Sequence, residues 1–326
     1  METFEIAAKK SKKRNVKRIV ILSVLSTSTI LGLLLAVHLI LGRLQTSNYF
    51  RASELVETQY AVAYPNIEAV SSSTTATGAY TSILTINRVK DLDGAKIAYD
   101  PQTIYLSWNG FHSNLNSDSL SGMTKKGLEQ GQVYTNSRLL KAPLFFNKQV
   151  HYDKEEPRVN PSQELPLVQQ MKGQIVEVAL TFDKPYSYEE LQKLLPTNLK
   201  KNWYWTGTYS NYNVANLTLD SLYGLEVEEG NLQASYDSFY QNIKKLLVSE
   251  KGFKTIGGGS SIRYSSKKEL EQIKKTMPKL EQARFSGIIL TGKAENFAQL
   301  EGKEWIYASS IGASTLNQPY YQLEKE

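Results

Sequence analysis

Residues 19–41 (IVILSVLSTSTILGLLLAVHLIL) contain no Asp, Glu, Lys or Arg, and 15 of these 23 residues are Leu, Ile or Val. Rising roughly 1.5 Å per residue, a helix of that length reaches about 34 Å, enough to cross a hydrocarbon core of about 30 Å with slight tilt. The hydroxyls of Ser23, Ser26, Thr27, Ser28 and Thr29 can bond back to helix carbonyls, so their cost is smaller than the gain from the aliphatic side chains. The expected element is a transmembrane helix, and the remaining chain must fold on one side of it.

The flanks say which side. Lys9, Lys10, Lys12, Lys13, Arg14, Lys17 and Arg18 precede the run, and only Arg43 and Arg51 follow closely. That asymmetry predicts an amino terminus in the cytoplasm and the bulk of the chain outside it. A cleaved signal peptide would have an apolar region of about 7 to 15 residues ending in small side chains. Here Leu39-Ile40-Leu41-Gly42-Arg43 follows, so an uncleaved anchor is expected. Of the formal net charge of +6, the first 18 residues carry +5; the basicity belongs to the anchor and suits anionic lipid, and no nucleic-acid partner is expected. Ser28, Gly32 and Ala36 lie four apart on one side of the helix, the spacing that lets two membrane helices approach closely, so helix–helix self-association is a further expectation.

Catalytic constellations are sparse. Cysteine is absent, which excludes disulfides, thiolate metal sites and cysteine nucleophiles. Of three histidines, His38 lies in the apolar run, and His112 and His151 stand too far apart in sequence for a paired metal spacing. Gly287 to Lys293 resembles a phosphate loop, but Ala294 replaces the metal-binding hydroxyl and the intervening Ile288-Ile289-Leu290-Thr291 reads as strand. Gly257-Gly258-Gly259 reads as a connector. Trp203, Trp205, Tyr209 and Tyr212 have faces that can stack on sugars, although strand alternation favours burying Trp203 and Trp205 in a core. No catalytic residue, cofactor or metal ligand is therefore assigned, and an enzyme is not expected.

The expected organisation is a basic tail (1–18), the span (19–41), a juxtamembrane segment with helical character (42–60), a β-rich region (61–164) and an α/β domain (165–326). In the β-rich region, residues 82–86, 95–99 and 103–108 read as strands, with turns at 91–94 and 109–110 and a linker at 148–164. In the last part, 174–182, a helix capped by Ser187 and Glu190, and 203–205 form one β-α-β unit, and 285–291, 294–300 and 305–309 repeat the order. Between them, Tyr236, Phe239, Tyr240, Ile243, Leu246 and Leu247 fall on one helical face over 233–248, and Ser266 with Glu269 reads as a second capping box. The fold class is α+β: one transmembrane helix, a β-rich region and a two-layer domain of ferredoxin-like type.

Several phrases resemble the sigma factor regulator, or anti-sigma factor carboxy-terminal domain, family of bacterial membrane proteins, known mainly from Gram-positive species. They are Val176-Glu177-Val178-Ala179-Leu180-Thr181-Phe182-Asp183-Lys184-Pro185-Tyr186-Ser187, Asn202-Trp203-Tyr204-Trp205, the Gly287 to Gly292 strand with Ile306-Tyr307-Ala308-Ser309-Ser310-Ile311-Gly312, and Tyr64-Pro65-Asn66 after the anchor. The resemblance implies a membrane-anchored regulator that restrains a sigma factor, with the tail from Lys9 to Arg18 as its output. A tail of 18 residues is too small to envelop a sigma factor, so a companion membrane protein is a second expected partner. An envelope-binding module with no role in transcription is the alternative.

Overall fold

The computed structural model describes residues 2–113, 120–122, 127, 132–135, 139–150, 159–228, 230–249, 253–257 and 263–325. One unbroken helix, α1 (Glu2–Tyr60), takes in the tail, the apolar run and the juxtamembrane segment. The tail is thus the first part of that helix. Residues 4–40 are exposed throughout. An 18-residue window of α1 has mean hydropathy 2.3 with none of it buried, which makes α1 long and apolar enough to cross a membrane. Thr29 Oγ1 donates to the Leu25 carbonyl at 2.9 Å, the back-bonding that lowers the cost of a hydroxyl in such a run.

The last turns of α1 acquire a partner. Strands β1 (Glu68–Gly78), β2 (Thr81–Leu92), β3 (Ala95–Ser107) and β4 (Gly110–Ser113) form an antiparallel sheet in that order. Burial alternates along β2, and its inward residues Leu84 and Ile86 meet Ile104 and Leu106 of β3 and Ala52 and Val56 of α1. The expected strands 95–99 and 103–108 are one strand, because Ile86 pairs with Gln102 and Arg88 with Tyr99, leaving Asp100 and Pro101 opposite Asn87 alone. That bulge gives Pro101 a place where no ladder amide is required. Two short strands follow, β5 (Leu120–Gly122) and β6 (Val133–Thr135), paired with each other. Of the expected linker, residues 151–158, including His151, lie outside the described residues; Ser162 and Glu164 bond to Ser309.

After a short helix, α2 (Leu165–Val168), the second sheet begins with β7 (Gln174–Tyr186), α3 (Tyr188–Leu194), β8 (Lys200–Trp205) and β9 (Gly224–Leu225). The expected capping box holds: Ser187 Oγ accepts from the Glu190 amide at 3.2 Å, and Glu190 Oε2 accepts from the Ser187 amide at 2.7 Å. Next come α4 (Leu232–Ser249), a two-stranded ribbon of β10 (Thr255–Ile256) and β11 (Tyr264–Ser265), α5 (Ser266–Thr276), β12 (Phe285–Lys293) and β13 (Ile306–Leu316). The sheet order is β13-β7-β12-β8-β9, antiparallel throughout.

Two details depart from expectation. Residues 294–300 form a 3-10 helix, and the N-cap of α5 is Ser265, whose hydroxyl accepts from the Lys268 amide. Ser266 instead bonds Lys254, and Glu269 accepts from the Tyr209 amide at 2.7 Å. Burial on both faces explains the continuous apolar run of β7, where residues 175–182 are all buried. The largest core joins both parts of the fold: Val62, Tyr64 and Ile67 from the segment after α1 and Tyr99 of β3 pack in one cluster with Val178 of β7, Trp203 of β8 and Leu290 of β12.

Candidate functional site

The β2 strand delivers an ammonium into that shared core. Lys90 and Glu177 are 1% and 0% exposed, and Lys90 Nζ lies 2.7 Å from each carboxylate oxygen. A pair so deeply buried stands only if its remaining hydrogen-bonding capacity is met. Asn66 Nδ2 donates to Glu177 Oε1 at 2.8 Å, and the Ala313 amide donates to Oε2 at 3.0 Å. Gly312 makes that approach possible, because a side-chain carbon there would collide with the Glu177 carboxylate. Lys90 Nζ also lies over the Tyr99 ring, 5.6 Å from its centroid.

Asn66 is the hub. It sits just beyond α1 with φ +53°, a left-handed conformation that asparagine tolerates better than most residues. Its amide donates to the Asp91 carbonyl at 3.0 Å as well as to Glu177. Its own oxygen accepts from Asn202 Nδ2 at 3.0 Å, and Asn202 also donates to the Asp91 carbonyl. Thr291 Oγ1 donates to Asn202 Oδ1 at 2.7 Å and accepts from the Asp93 amide at 2.9 Å. The chain from Asn66 to Thr291 thereby ties the end of α1, the β2–β3 turn and three strands of the second sheet.

Charges decorate the rim. Asp91 Oδ2 pairs with Lys96 at 2.8 Å and Lys200 at 3.1 Å, and Lys200 reaches Glu324 at 2.7 Å. Burial works to raise the Asp91 carboxyl, but Lys96, the Gly94 amide and Lys200 together hold it below its ordinary value. Asp93, fully buried with φ +56°, behaves oppositely: burial raises its carboxyl to about 6, against the Lys325 amide that bonds Oδ1. An open polar cleft of about 770 Å³ borders this rim, between Glu57 of α1, Glu68, Glu226 and Glu324.

No nucleophile–base pair stands in the junction, and among the described residues no group of three or more His, Asp or Glu could hold a metal. The arrangement is built to fix two sheets to one another and to the end of α1. None of its residues was singled out from sequence as a site. Two signals were present: Glu177 is the one charge in the apolar run Ile175 to Phe182, which demands a buried partner, and Asn66, Asn202 and Gly312 lie in the phrases that carry the family resemblance.

The residues singled out lie elsewhere. Lys9, Lys10, Lys12, Lys13, Arg14, Lys17 and Arg18 are exposed on the first turns of α1, and Ser28, Gly32 and Ala36 are exposed on its apolar part, with open space around Gly32. His112 is exposed and stacks on Tyr105, ring centroids 5.1 Å apart. Trp203 and Trp205 are buried, so neither offers a face to a sugar, and Gly287 and Gly292 lie in strand β12.

Two family models match this chain. The model described as sigma factor regulator N-terminal covers residues 5–97, and the model described as sigma factor regulator C-terminal covers residues 168–313. The chain belongs to the sigma factor regulator family, a regulatory class. Asn66, Lys90, Asp91 and Asp93 fall in the first matched segment and Glu177, Asn202, Thr291 and Gly312 in the second, so the junction is where the two segments meet. No curated protein and no solved structure gave a significant match.

Proposed function

We propose that this chain is a single-pass membrane regulator of a sigma factor, with residues 1–18 in the cytoplasm, 19–41 across the cell membrane and the folded body outside, where it senses or binds an envelope signal. One observation carries the reading. The helix that holds the apolar run and the basic tail is unbroken into the turns that pack against the first sheet, and Lys90–Glu177 locks that sheet to the second. A change in how the body is held therefore has a stiff element through which to reach the tail.

The output is the cationic face from Lys9 to Arg18, which meets anionic lipid, the sigma factor or a companion membrane protein. Pairing through Ser28, Gly32 and Ala36 is a second element, and Gly32→Leu should weaken cross-linking between copies in membranes if helices meet there. The fourth-first-third-second order of the principal strands β13, β7, β12 and β8 supports a ferredoxin-like reading of 165–326, with α4 and α5 inserted. Two experiments test the function. Protease added to intact protoplasts should remove the body and spare a tag on the tail; the opposite pattern defeats the topology. Deleting the gene should alter one alternative-sigma regulon, and a transcriptome in which all such regulons are unchanged defeats the regulatory assignment.

A further inference from the structure

One end of the first sheet points down α1 toward the apolar run, and three contacts fix its level. The Tyr80 hydroxyl lies 2.9 Å from His38 Nδ1, with the rings 5.6 Å apart. Gln45 Nε2 donates to Ser82 Oγ at 3.1 Å. Asn48 Nδ2 donates to the carbonyls of Ser107 and Trp108 at 2.9 and 3.2 Å. Because Thr81 pairs with Ser107, the β1–β2 turn at Ala79-Tyr80 and the β3–β4 turn at Trp108-Asn109 end at one height. His38 belongs to residues 19–41, so that height is the outer boundary of the span.

We propose that these two turns seat in the headgroup layer of the outer leaflet, making the phospholipid interface a second docking partner of the folded body. The inference rests on the membrane reading above and adds to it a surface remote from the anchor in sequence. Trp108 keeps 46% of its surface exposed although it stands at a turn bonded to α1. Tyrosine and tryptophan favour that layer because an apolar ring and a polar edge are both satisfied there. The two turns and their flanks, residues 78–82 and 106–111, carry no charge, so their approach to lipid desolvates none. Setting the boundary at Tyr80 leaves 19–37 in the hydrocarbon, roughly 28 Å of helix, which matches a core of about 30 Å without tilt. It also places the His38 imidazole at the interface with a hydroxyl partner instead of in hydrocarbon. Docking at two points holds the body upright, so the cleft and junction keep a fixed distance from the bilayer.

The test uses the full chain reconstituted in phosphatidylcholine–phosphatidylglycerol vesicles, with or without phosphatidylcholine brominated high on its acyl chains. Of the four tryptophans, Trp203 and Trp205 are buried and Trp305 precedes β13 of the second sheet. Bromine should therefore dim wild-type emission chiefly through Trp108, and Trp108→Phe should cut that quenching roughly threefold or more while the protein still floats with the vesicles. Adding Tyr80→Trp to Trp108→Phe should restore it. Equal quenching in wild type and Trp108→Phe, with flotation intact, overturns the docking and leaves the anchor standing; a chain that does not float overturns both.

Discussion

The two sheets make opposite use of their strands. In the second, β7 buries residues 175–182 without a break, and its neighbours β12 and β13 are buried over most of their length. In the first, β1 is exposed from Ala69 to Gly78, and the sheet's apolar side chains pack on Ala52 and Val56 of α1 and, through Leu92, Ala95 and Tyr99, on the second sheet. The second sheet thus supplies most of its own core, whereas the first depends on the helix, on apolar contact with the second sheet and on the polar junction. α1 is attached to the first sheet and also packs against α4, and Val62, Ala63 and Tyr64 just beyond it enter the largest core, so its position relative to the body is set jointly by the junction and by that packing.

Breaking the junction should have the largest effect. Glu177→Ala strands the Lys90 ammonium in the core, and removing one member of a buried pair costs about 3–5 kcal/mol. Thermal melting of the full chain in detergent should show that loss, with separation of the first sheet seen as new protease cleavage after residue 60. Replacing both members, Lys90→Met with Glu177→Leu, should cost much less, because no charge is left unpaired. A single variant as stable as wild type would mean that apolar packing alone joins the sheets.

The difference between the sheets also explains what could be read in advance. The second sheet announces itself through long apolar runs, the Ser187–Glu190 box and the stripe Tyr236, Phe239, Ile243 and Leu246, all of which arise from local periodicity. The first is less legible. The Ser/Thr run of β1 has no inward face to alternate with, and Pro101 suggests a break where the pairing merely bulges. Residues 294–300 form a 3-10 helix with Ala294, Phe297 and Leu300 buried at a spacing that α-helix and 3-10 helix both permit. The junction was the least legible, since Lys90 and Glu177 meet across 87 positions and no local pattern encodes the encounter. The apolar helix was legible by composition, because none of its apolar window is buried in the protein's own interior.

A second way to sharpen the contrast is pH. Asp93 holds the β2–β3 turn against the carboxy-terminal residues, accepting from the Lys325 amide with one oxygen while Oδ2 has no hydrogen-bond partner. Its folded value of about 6 lies above the ordinary carboxyl value of 3.8. A carboxyl raised by folding supports stability below its unfolded value and loses that support as pH rises through the folded one. Stability should accordingly decline between pH 4 and 6 on this account, by at most about 3 kcal/mol at 1.4 kcal/mol per unit. Asp93→Asn keeps the acceptor for Lys325 and removes the titration. Its melting temperature should exceed wild type at pH 8 and converge with it near pH 4; a constant offset would assign the effect to packing.

Smaller still are changes confined to one element. Ser187→Ala removes a cap within the second sheet's own unit and should cost about 1 kcal/mol, with the first sheet's protease sensitivity unchanged. At the bottom of the scale stands Lys96, which bridges Asp91 and Glu68 on the rim with 45% of its side chain exposed. Solvent screens such a pair and the ordered side chain loses entropy, so Lys96→Ala should cost no more than about 0.5 kcal/mol and less in high salt. Lys96→Ala and Glu177→Ala, melted side by side in low and high salt, separate the rim from the core: only the rim's contribution should shrink with salt. If the Lys96 variant instead approached the Glu177 variant, the rim ion pairs would be holding the two sheets together and the buried pair would be secondary.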